Sequence, residues 1–233
     1  MEFVESKTLA QILEDHNGDM LDYLKTLEPH QTLDPYDDSL VNKEDGFERN
    51  ELGIHPLIMD TYIKSCAAYS IITYILGVGD RHLDNLLIES SSGSLFHIDY
   101  GFILGKDPKP FPPPMKLCKE MIEGMGGIQS VFYQQTFVGY CVMVFLCLRK
   151  HWKLWILTLQ ASGLDEYTDV FIKEKLMEKL KIKSVDETGW IVDLNEGEQN
   201  AIKDLKALID ESVHALFPQV IETIHKWAQY WRA

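Results

Sequence analysis

The sequence predicts a mainly α fold with a small β-hairpin (α+β), and three observations support this prediction. Apolar residues recur at helical steps after Pro56, a long apolar stretch runs from Val131 to Leu159, and two short apolar runs flank a polar turn between Gly77 and Gly101. The first pattern is typical of helices, the second of core helices and the third of a hairpin. The chain has 233 residues, 45% of them hydrophobic, which is enough for a sizeable core.

The first distinctive segment in chain order is acidic and covers residues 28–53. Between Glu28 and Glu51 there are eight acidic residues against Lys43 and Arg49, with few apolar residues among them. Such a composition buries too little apolar surface to order the chain. We expect a solvated surface insertion, with a charged docking site as the alternative.

A helix is predicted from Pro56 up to Gly77. Proline suits the first turn of a helix, and an apolar face follows it at three- and four-residue steps. That face consists of Met59, Tyr62, Ile63, Cys66, Ala67, Ser70 and Tyr74.

A two-stranded hairpin should follow this helix. Leu86–Ile88 and Leu95–Ile98 are short apolar runs, and the Ser- and Gly-containing residues 89–94 between them predict a tight turn. Asn85 and Asp99 would then lie side by side at the two open ends.

The remaining elements are predicted to be helices. Val131 to Leu159 fits one or two core helices broken near His151, and residues 170–180 and 201–217 are amphipathic.

The C-terminal segment, residues 219–232, also predicts an amphipathic helix. Val220, Ile224, Trp227 and Trp231 follow one another at steps of four, three and four. Aromatic rings with a polar edge favour the water–lipid boundary, so we interpret Trp227, Tyr230 and Trp231 as membrane contacts. Packing of the same stripe onto the protein is the alternative.

Residues 77–101 carry the chemistry. Asp80, Arg81, His82, Asn85 and Asp99 could supply oxygen ligands for Mg²⁺, a proton acceptor and positive charge, which phosphoryl transfer requires. Asp80 and Asn85 are five residues apart, as in the protein-kinase catalytic loop, and the D-Y-G at Asp99 matches the kinase D-F-G with Tyr for Phe. A salt-bridged surface loop before a buried hairpin is the non-catalytic interpretation.

The pattern G-D-R-H-x-x-N followed by H-I-D-Y-G resembles the phosphatidylinositol 3-/4-kinase superfamily, in which Asp and His are reversed around the arginine. Residues 106–117, 119–127 and 209–232 further resemble the class III, vacuolar-sorting type of phosphatidylinositol 3-kinase. The resemblance implies that residues 1–233 form the C-terminal lobe of the protein-kinase-like fold. The chain would start at the hinge, so the N-terminal lobe with its phosphate-covering loop would be absent.

The resemblance also suggests roles for the catalytic segment. We interpret His82 as the base that activates the inositol 3-hydroxyl, because imidazole titrates near neutral pH. Asp80 is the rival base, because it has the protein-kinase spacing. Arg81 would hold the loop by pairing with a carboxylate, with a phosphate contact as the alternative.

ATP and Mg²⁺ are the expected cofactors, with Mn²⁺ as a substitute. Asn85 and Asp99 would be the metal ligands. By the family geometry, Phe3 and Val4 would lie in the hinge that meets the adenine edge, and Ile98 would face the adenine.

By the resemblance, residues 99–123 would be the activation loop that meets the lipid headgroup. Its four lysines, Lys106, Lys109, Lys116 and Lys119, are balanced by four acidic residues, so the formal charge is zero. A loop that binds extra phosphates would be expected to cluster its cations. The substrate loop therefore fits unphosphorylated phosphatidylinositol, and a proline-rich docking segment for a partner is the alternative.

Charge and hydropathy limit the partners. The net charge of −14 disfavours binding to nucleic acid. The sequence contains no run of 18 apolar residues, so it does not predict a membrane-spanning helix. The resemblance implies a phosphatidylinositol membrane surface, a regulatory protein-kinase-like subunit and an autophagy or sorting adaptor as partners. The expected location is cytoplasmic, peripheral on endosomal, vacuolar or autophagic membranes.

The predicted function is ATP-dependent phosphorylation of phosphatidylinositol at the 3-hydroxyl, which supports endosomal or vacuolar sorting and autophagy. The chain alone would be inactive without the N-terminal lobe. The alternative function is that of a catalytically incomplete lobe that binds a membrane or a partner.

Overall fold

The computed structural model describes six stretches of the chain, which fall into two compact units. The stretches are residues 3–29, 49–108, 113–164, 167–187, 191–192 and 195–217. The first unit comprises Met1–Cys66, His82–Ile98 and Glu120–Phe137, and the second comprises Ala67–Arg81, Asp99–Lys119 and Val138–Ala233.

Helices dominate the described residues, which confirms the predicted mainly α class. The α-helices are α1 (Leu9–Asp15), α2 (Met20–Thr26), α3 (Pro56–Ile75), α4 (Lys119–Glu123), α5 (Val138–Lys150), α6 (Trp152–Ala161), α7 (Asp169–Lys179) and α8 (Asn195–Leu216). A 3₁₀ turn covers Leu83–Asn85, and a π-helical segment, Phe132–Phe137, runs directly into α5.

A small antiparallel sheet lies in the first unit, with strands β1 (Ser6–Thr8), β2 (Leu86–Glu89) and β3 (Leu95–His97) in that order. The predicted hairpin is therefore confirmed, with Leu86 opposite His97 and Ile88 opposite Leu95. Strand β1, which pairs with β2, is an addition that the sequence analysis did not predict. Its three residues, Ser-Lys-Thr, carry no apolar alternation, so the sequence gives no periodic signal for this strand.

Side chains cap the two helices that precede the acidic segment. Thr8 accepts from the backbone N–H of Gln11, whose side chain accepts from the N–H of Thr8, which makes a capping box at the start of α1. Asp19 accepts from two backbone N–H groups at the start of α2. Helix α1 then packs on β1, β2 and the 3₁₀ turn.

The core of the first unit forms around the N-terminal half of α3. Tyr62 is fully buried, and its hydroxyl donates to the carbonyl of Met121 at 3.1 Å. The hydroxyl of Ser65 accepts from the backbone N–H of Leu95 at 2.9 Å, which joins α3 to β3. Other buried side chains in this unit are Leu9, Ile12, Leu24, Ile58, Ile88, Leu95 and Phe137.

The second unit is a helical assembly in which α6 packs on α7 and α5 packs on α8. Helices α5 and α6 are separated at His151, which confirms the predicted break. The buried hydroxyl of Ser212 on α8 accepts from the N–H of Met115 at 3.3 Å. The core includes Ile71, Val78, Phe145, Trp152, Leu176, Leu180, Leu205 and Ile209.

The predicted helix after Pro56 is confirmed, since α3 covers Pro56–Ile75 and all seven predicted face residues are buried. Helix α8 begins at Asn195 rather than at Ala201, because its polar first turns carry no apolar signal. Most of the acidic segment (residues 30–48) and the C-terminal stripe lie outside the described residues. In the described stretches, no helix has the length and apolar character needed to cross a bilayer.

We predict that Gly93→Ala destabilises the first unit. Gly93 has φ +73°, and a Cβ there would come within 2.8 Å of Ile58 Cγ2. Left-handed strain and overpacking should together cost about 2–4 kcal/mol. Thermal unfolding measures this loss. The matched control is Gly18→Ala, which has φ +82° but no atom near the added Cβ, so it should lose only about 1 kcal/mol. Equal losses in the two variants would refute the close contact at Gly93.

Candidate functional site

The catalytic segment enters the first unit at a 3₁₀ turn. His82 precedes the turn, and its carbonyl accepts from the N–H of Asn85 at 3.0 Å. The carbonyl of Asn85 accepts in turn from the N–H of Ile98 at 3.1 Å, which extends the β2–β3 ladder by one residue. The side chain of His82 is 44% exposed, whereas Asn85 is only 6% exposed. His82 is therefore accessible to a substrate, while Asn85 is held in place by its surroundings.

A carboxylate that the sequence analysis did not single out lies beside His82. Asp84 Oδ2 is 3.4 Å from His82 Nδ1, and the Asp84 side chain is 70% exposed. The separation of two residues in the chain is the only sequence signal for this pair.

Two acidic residues of the second unit have left-handed backbones. Asp80 has φ 52° and Asp99 has φ 57°, a conformation that costs most residues about 1–2 kcal/mol. Aspartate tolerates it because its short side chain bonds to nearby backbone groups, and Asp99 Oδ1 accepts from the N–H of Gly101 at 3.2 Å. The side chain of Asp99 is exposed. Residues in sparsely populated backbone conformations, such as these left-handed aspartates, are common at functional sites.

Arg81 clamps the ends of this segment. Its Nε donates to the carbonyl of Gly79 at 2.9 Å, and its guanidinium also donates to the carbonyl of Asp99. The guanidinium carbon lies 5.6 Å from the centre of the Tyr100 ring. Burial lowers the pKa of Arg81, and Tyr100, Asp99, Asp80 and Asp107 act in the opposite direction. The predicted loop-holding role therefore has a physical basis in hydrogen bonds to backbone carbonyls.

The segments before and after the catalytic residues pair through their backbones in the second unit. Gly79 N donates to Phe102 O at 2.8 Å, Leu104 N to Leu76 O at 2.7 Å, and Gly105 N to Gly77 O at 3.0 Å. We call residues 76–79 and 102–105 the paired segments. The approach is close enough to exclude side chains at two positions, because a Cβ at Gly77 would lie 2.7 Å from Gly105 N and one at Gly79 would lie 2.3 Å from Lys106 O.

The loop lysines differ in their surroundings. Lys116 forms an ion pair with Asp107 at 2.8 Å, and both side chains are nearly buried, at 11% and 8% exposed. Lys106 lies over the ring of Tyr167, with Nζ 5.2 Å from the ring centre. Lys119 is exposed at the start of α4, and Lys109 lies outside the described residues.

The residues predicted to meet adenine belong to the first unit and leave apolar surface exposed. Phe3 is 91% exposed and Ile98 is 42% exposed. Val4 is half-buried, and its carbonyl accepts from the Ser6 hydroxyl at 3.0 Å, just before β1 begins. Exposed apolar side chains of this kind suit contact with a flat aromatic base.

The described part of the chain contains no cluster of three His, Cys, Asp or Glu side chains that could hold a metal ion. A nucleotide-bound Mg²⁺ does not require one, because it takes only one or two protein oxygens and completes its shell with phosphates and water. Asn85 and Asp99 supply donors of the right chemistry for such an ion.

The chain matches a family model described as phosphatidylinositol 3- and 4-kinase over residues 2–172. Phosphatidylinositol 3-kinase pik3 of Schizosaccharomyces pombe is 47% identical over 235 residues, 100% of this chain and 26% of that protein. Phosphatidylinositol 3-kinase VPS34 of Arabidopsis thaliana is 44% identical over 237 residues, 100% of this chain and 25% of that protein. The protein of the same name from Saccharomyces cerevisiae is 38% identical over 238 residues, covering 100% of this chain and 23% of that protein. The chain thus spans about a quarter of the length of these curated relatives.

We predict that Gly79→Ala separates the paired segments. The added Cβ would overlap the carbonyl oxygen of Lys106, so the hydrogen bond to Phe102 must break at a cost of about 3 kcal/mol or more. Hydrogen exchange at the N–H groups of Leu104 and Gly105 should accelerate. The control is Gly139→Ala in α5, where no atom lies near the added Cβ and about 1 kcal/mol of stabilisation is expected. Unchanged exchange in Gly79→Ala would contradict the close approach.

Proposed function

This chain belongs to the phosphatidylinositol 3- and 4-kinase family, and we propose that it forms the C-terminal lobe of the catalytic domain of a phosphatidylinositol 3-kinase. Family membership implies ATP and a divalent metal. One observation carries the proposal: a loop with the order Asp, Arg, His, Asn and then Asp-Tyr-Gly, whose arginine holds the carbonyls of Gly79 and Asp99.

The proposed reaction transfers the γ-phosphoryl group of ATP to the 3-hydroxyl of phosphatidylinositol. A bond forms between the 3-oxygen and phosphorus, the bond from phosphorus to the leaving oxygen of ADP breaks, and the hydroxyl proton passes to a side chain of the enzyme. We propose Mg²⁺ as the metal, with Mn²⁺ as a substitute, and Asn85 and Asp99 as its protein ligands. When bound, the metal neutralises the charge on the phosphates.

His82 is the proposed proton acceptor. Its side chain is 44% exposed, whereas Asp80 is half-buried on a left-handed backbone beside the arginine that clamps the loop. Exposure favours His82 as the group that meets the substrate, and the Asp84 carboxylate lies 3.4 Å from its Nδ1. Asp80 then orients the segment through its interaction with Arg81.

The substrate proposed for the loop is phosphatidylinositol without extra phosphates. The Lys116 charge is neutralised by Asp107, and the four lysines of the loop are balanced by four acidic residues in its sequence. A headgroup with added phosphates would bring nearly two negative charges for each. A loop with so little clustered positive charge suits the unphosphorylated inositol ring.

We predict that Asp99→Asn and Asn85→Ala abolish lipid phosphorylation by the native protein that contains this chain, by at least about a hundredfold. Asparagine retains the left-handed backbone of Asp99 but weakens the metal ligand, so the fold should persist. Phosphate incorporation into phosphatidylinositol vesicles measures the loss. Asp60→Asn is the control, because this exposed carboxylate pairs with Lys64 and should leave the rate unchanged. Near-normal rates in both site variants would overturn the assignment of Asn85 and Asp99 as metal ligands, whereas no phosphorylation by the unmodified native protein would favour a membrane- or partner-binding module.

The choice of base gives a separate prediction. His82→Gln should lower kcat by about 10²–10⁴-fold with KM little changed, and Asp80→Asn should lower it less, because asparagine tolerates the backbone of residue 80. Initial rates across a range of pH values compare the two variants. A larger loss in Asp80→Asn would transfer the proton-accepting role to Asp80.

We further propose that the protein acts as a peripheral enzyme on endosomal, vacuolar or autophagic membranes. A protein-kinase-like regulatory subunit and a sorting or autophagy adaptor would be its partners. Sequence supports the membrane contact, through the spacing of Trp227 and Trp231 with Tyr230 beside them.

Replacing Trp227 and Trp231 by alanine should weaken co-sedimentation of the native protein with phosphatidylinositol vesicles by about tenfold or more. ATP hydrolysis without vesicles should stay the same and serves as the control. Unchanged co-sedimentation would favour packing of this stripe onto the protein.

A further inference from the structure

One lysine of the substrate loop lies against the protein rather than in solvent. The Lys116 side chain is only 11% exposed, and its ammonium donates to Asp107 Oδ2 at 2.8 Å and to the carbonyl of Pro113 at 3.5 Å. The Asp107 side chain is 8% exposed. Lys119, in contrast, is exposed at the start of α4. The described contacts of Lys116 are therefore internal to the second unit.

The acidic partner of this pair packs against the segment that carries the candidate site. A Cβ at Gly79 would lie 2.9 Å from Asp107 Cα and 3.2 Å from Asp107 Cβ. Gly79 immediately precedes Asp80, and its carbonyl accepts from Arg81 Nε. Burial lowers the pKa of Arg81, and the Asp107 carboxylate is one of the groups that act in the opposite direction. Asp107 is thus in van der Waals contact with Gly79 and within electrostatic range of Arg81.

The basic partner is anchored to the core of the second unit. Met115 is fully buried and Leu117 is 6% exposed, and they flank Lys116 in the chain. The N–H of Met115 donates to the buried hydroxyl of Ser212 on α8 at 3.3 Å. The ion pair therefore joins a segment anchored on α8 to the backbone that lies against Gly79, although its two partners are nine residues apart in the chain.

The pair is sensitive to the loss of either charge. Removal of one partner takes a close opposite charge away from a group that is nearly buried, and burial of a charge without this compensation is costly. The remaining charge gains hydration only if the backbone that carries it moves outward. Replacement of both partners by neutral side chains removes this demand, so the two segments can stay together.

We infer that Lys116 and Asp107 are positioning residues for the proposed phosphoryl transfer, because their ion pair holds the chain at Asp107 against Gly79. Arg81 bonds the carbonyls of Gly79 and Asp99, so the pair acts on the proposed metal ligand Asp99 through this arginine. Lys116 then contributes to the rate without touching the headgroup. The effect on rate rests on the proposed function, whereas the hold on Gly79 does not.

Steady-state kinetics of the native protein with ATP and phosphatidylinositol vesicles test the inference. Asp107→Asn and Lys116→Met should each lower kcat at least about tenfold with the KM for lipid little changed, because displacing reacting groups by roughly 1 Å can cost about a hundredfold. ATP hydrolysis without vesicles should fall by a similar factor, since the metal site is disturbed before any lipid binds. The double variant Asp107→Asn, Lys116→Met should be faster than either single variant, because neither charge then remains.

Two kinetic results would overturn the inference. A higher KM for lipid in Lys116→Met, with unchanged ATP hydrolysis, would make Lys116 a headgroup contact. A loss in the double variant equal to the product of the two single losses would show that Lys116 and Asp107 act independently.

The matched controls are Lys175→Met and Glu178→Gln, which break a pair at 3.0 Å on α7 whose side chains are 38% and 60% exposed, and they should leave kcat unchanged. All rates are compared at a temperature at which thermal unfolding shows every variant to be folded. Equal losses of kcat in the control and test variants would also overturn the inference.

Hydrogen exchange separates the positioning role from the proposed function. Without substrate, the N–H of Gly79, which donates to Phe102 O at 2.8 Å, should exchange faster in Lys116→Met but not in Lys175→Met. Faster exchange in this variant, together with no phosphorylation by the unmodified protein, would keep the contact with Gly79 and overturn the proposed function alone. Unchanged exchange, together with normal phosphorylation by the unmodified protein, would overturn the positioning role alone.

Discussion

The close approach of two backbone segments, residues 76–79 and 102–105, is the constraint on which the candidate site residues of the second unit depend. Three hydrogen bonds between 2.7 and 3.0 Å join them, and only glycine at positions 77 and 79 leaves room for this contact. The segments flank Asp80, Arg81 and Asp99, so the same contact fixes both ends of the functional stretch. Because no side chains separate the two segments, their backbones pair directly and form a short, stiff support. This support can position the side chains of the adjoining residues although these residues belong to no regular strand.

That frame explains why acidic residues can occupy unfavourable backbone conformations. Asp80 and Asp99 both lie in the left-handed region, where a bulky side chain would be strained. Hydrogen bonds from Arg81 to the carbonyls of Gly79 and Asp99, and from the N–H of Gly101 to Asp99 Oδ1, hold the loop in place. The two carboxylates therefore point in directions that a regular helix or strand would not allow. Local strain and its compensation therefore occur together at two of the candidate site residues.

Local sequence patterns predicted the elements whose signal is periodic. Helix α3, the β2–β3 hairpin and the break at His151 follow from residue spacing and turn composition, which act within a few residues. Three features could not be predicted in this way. Strand β1 and the buried Lys116–Asp107 pair depend on contacts between residues that are not neighbours in the chain. The start of α8 at Asn195 was missed because the first turns of this helix are polar. The identities of the candidate site residues came from motif order, whereas the clamp by Arg81 and the neighbour Asp84 required coordinates.

The clamp has a consequence for how the site responds to its environment. Guanidinium stays protonated at every pH that a cell maintains, even with the lowering that burial causes for Arg81. A histidine in the same place would release the two carbonyls within the physiological range, and the shape of the loop would follow intracellular acidity. With arginine, the geometry of the loop is uncoupled from acidity. The carbonyls of Gly79 and Asp99 therefore keep the same hydrogen-bond donor across the whole pH range of a cell.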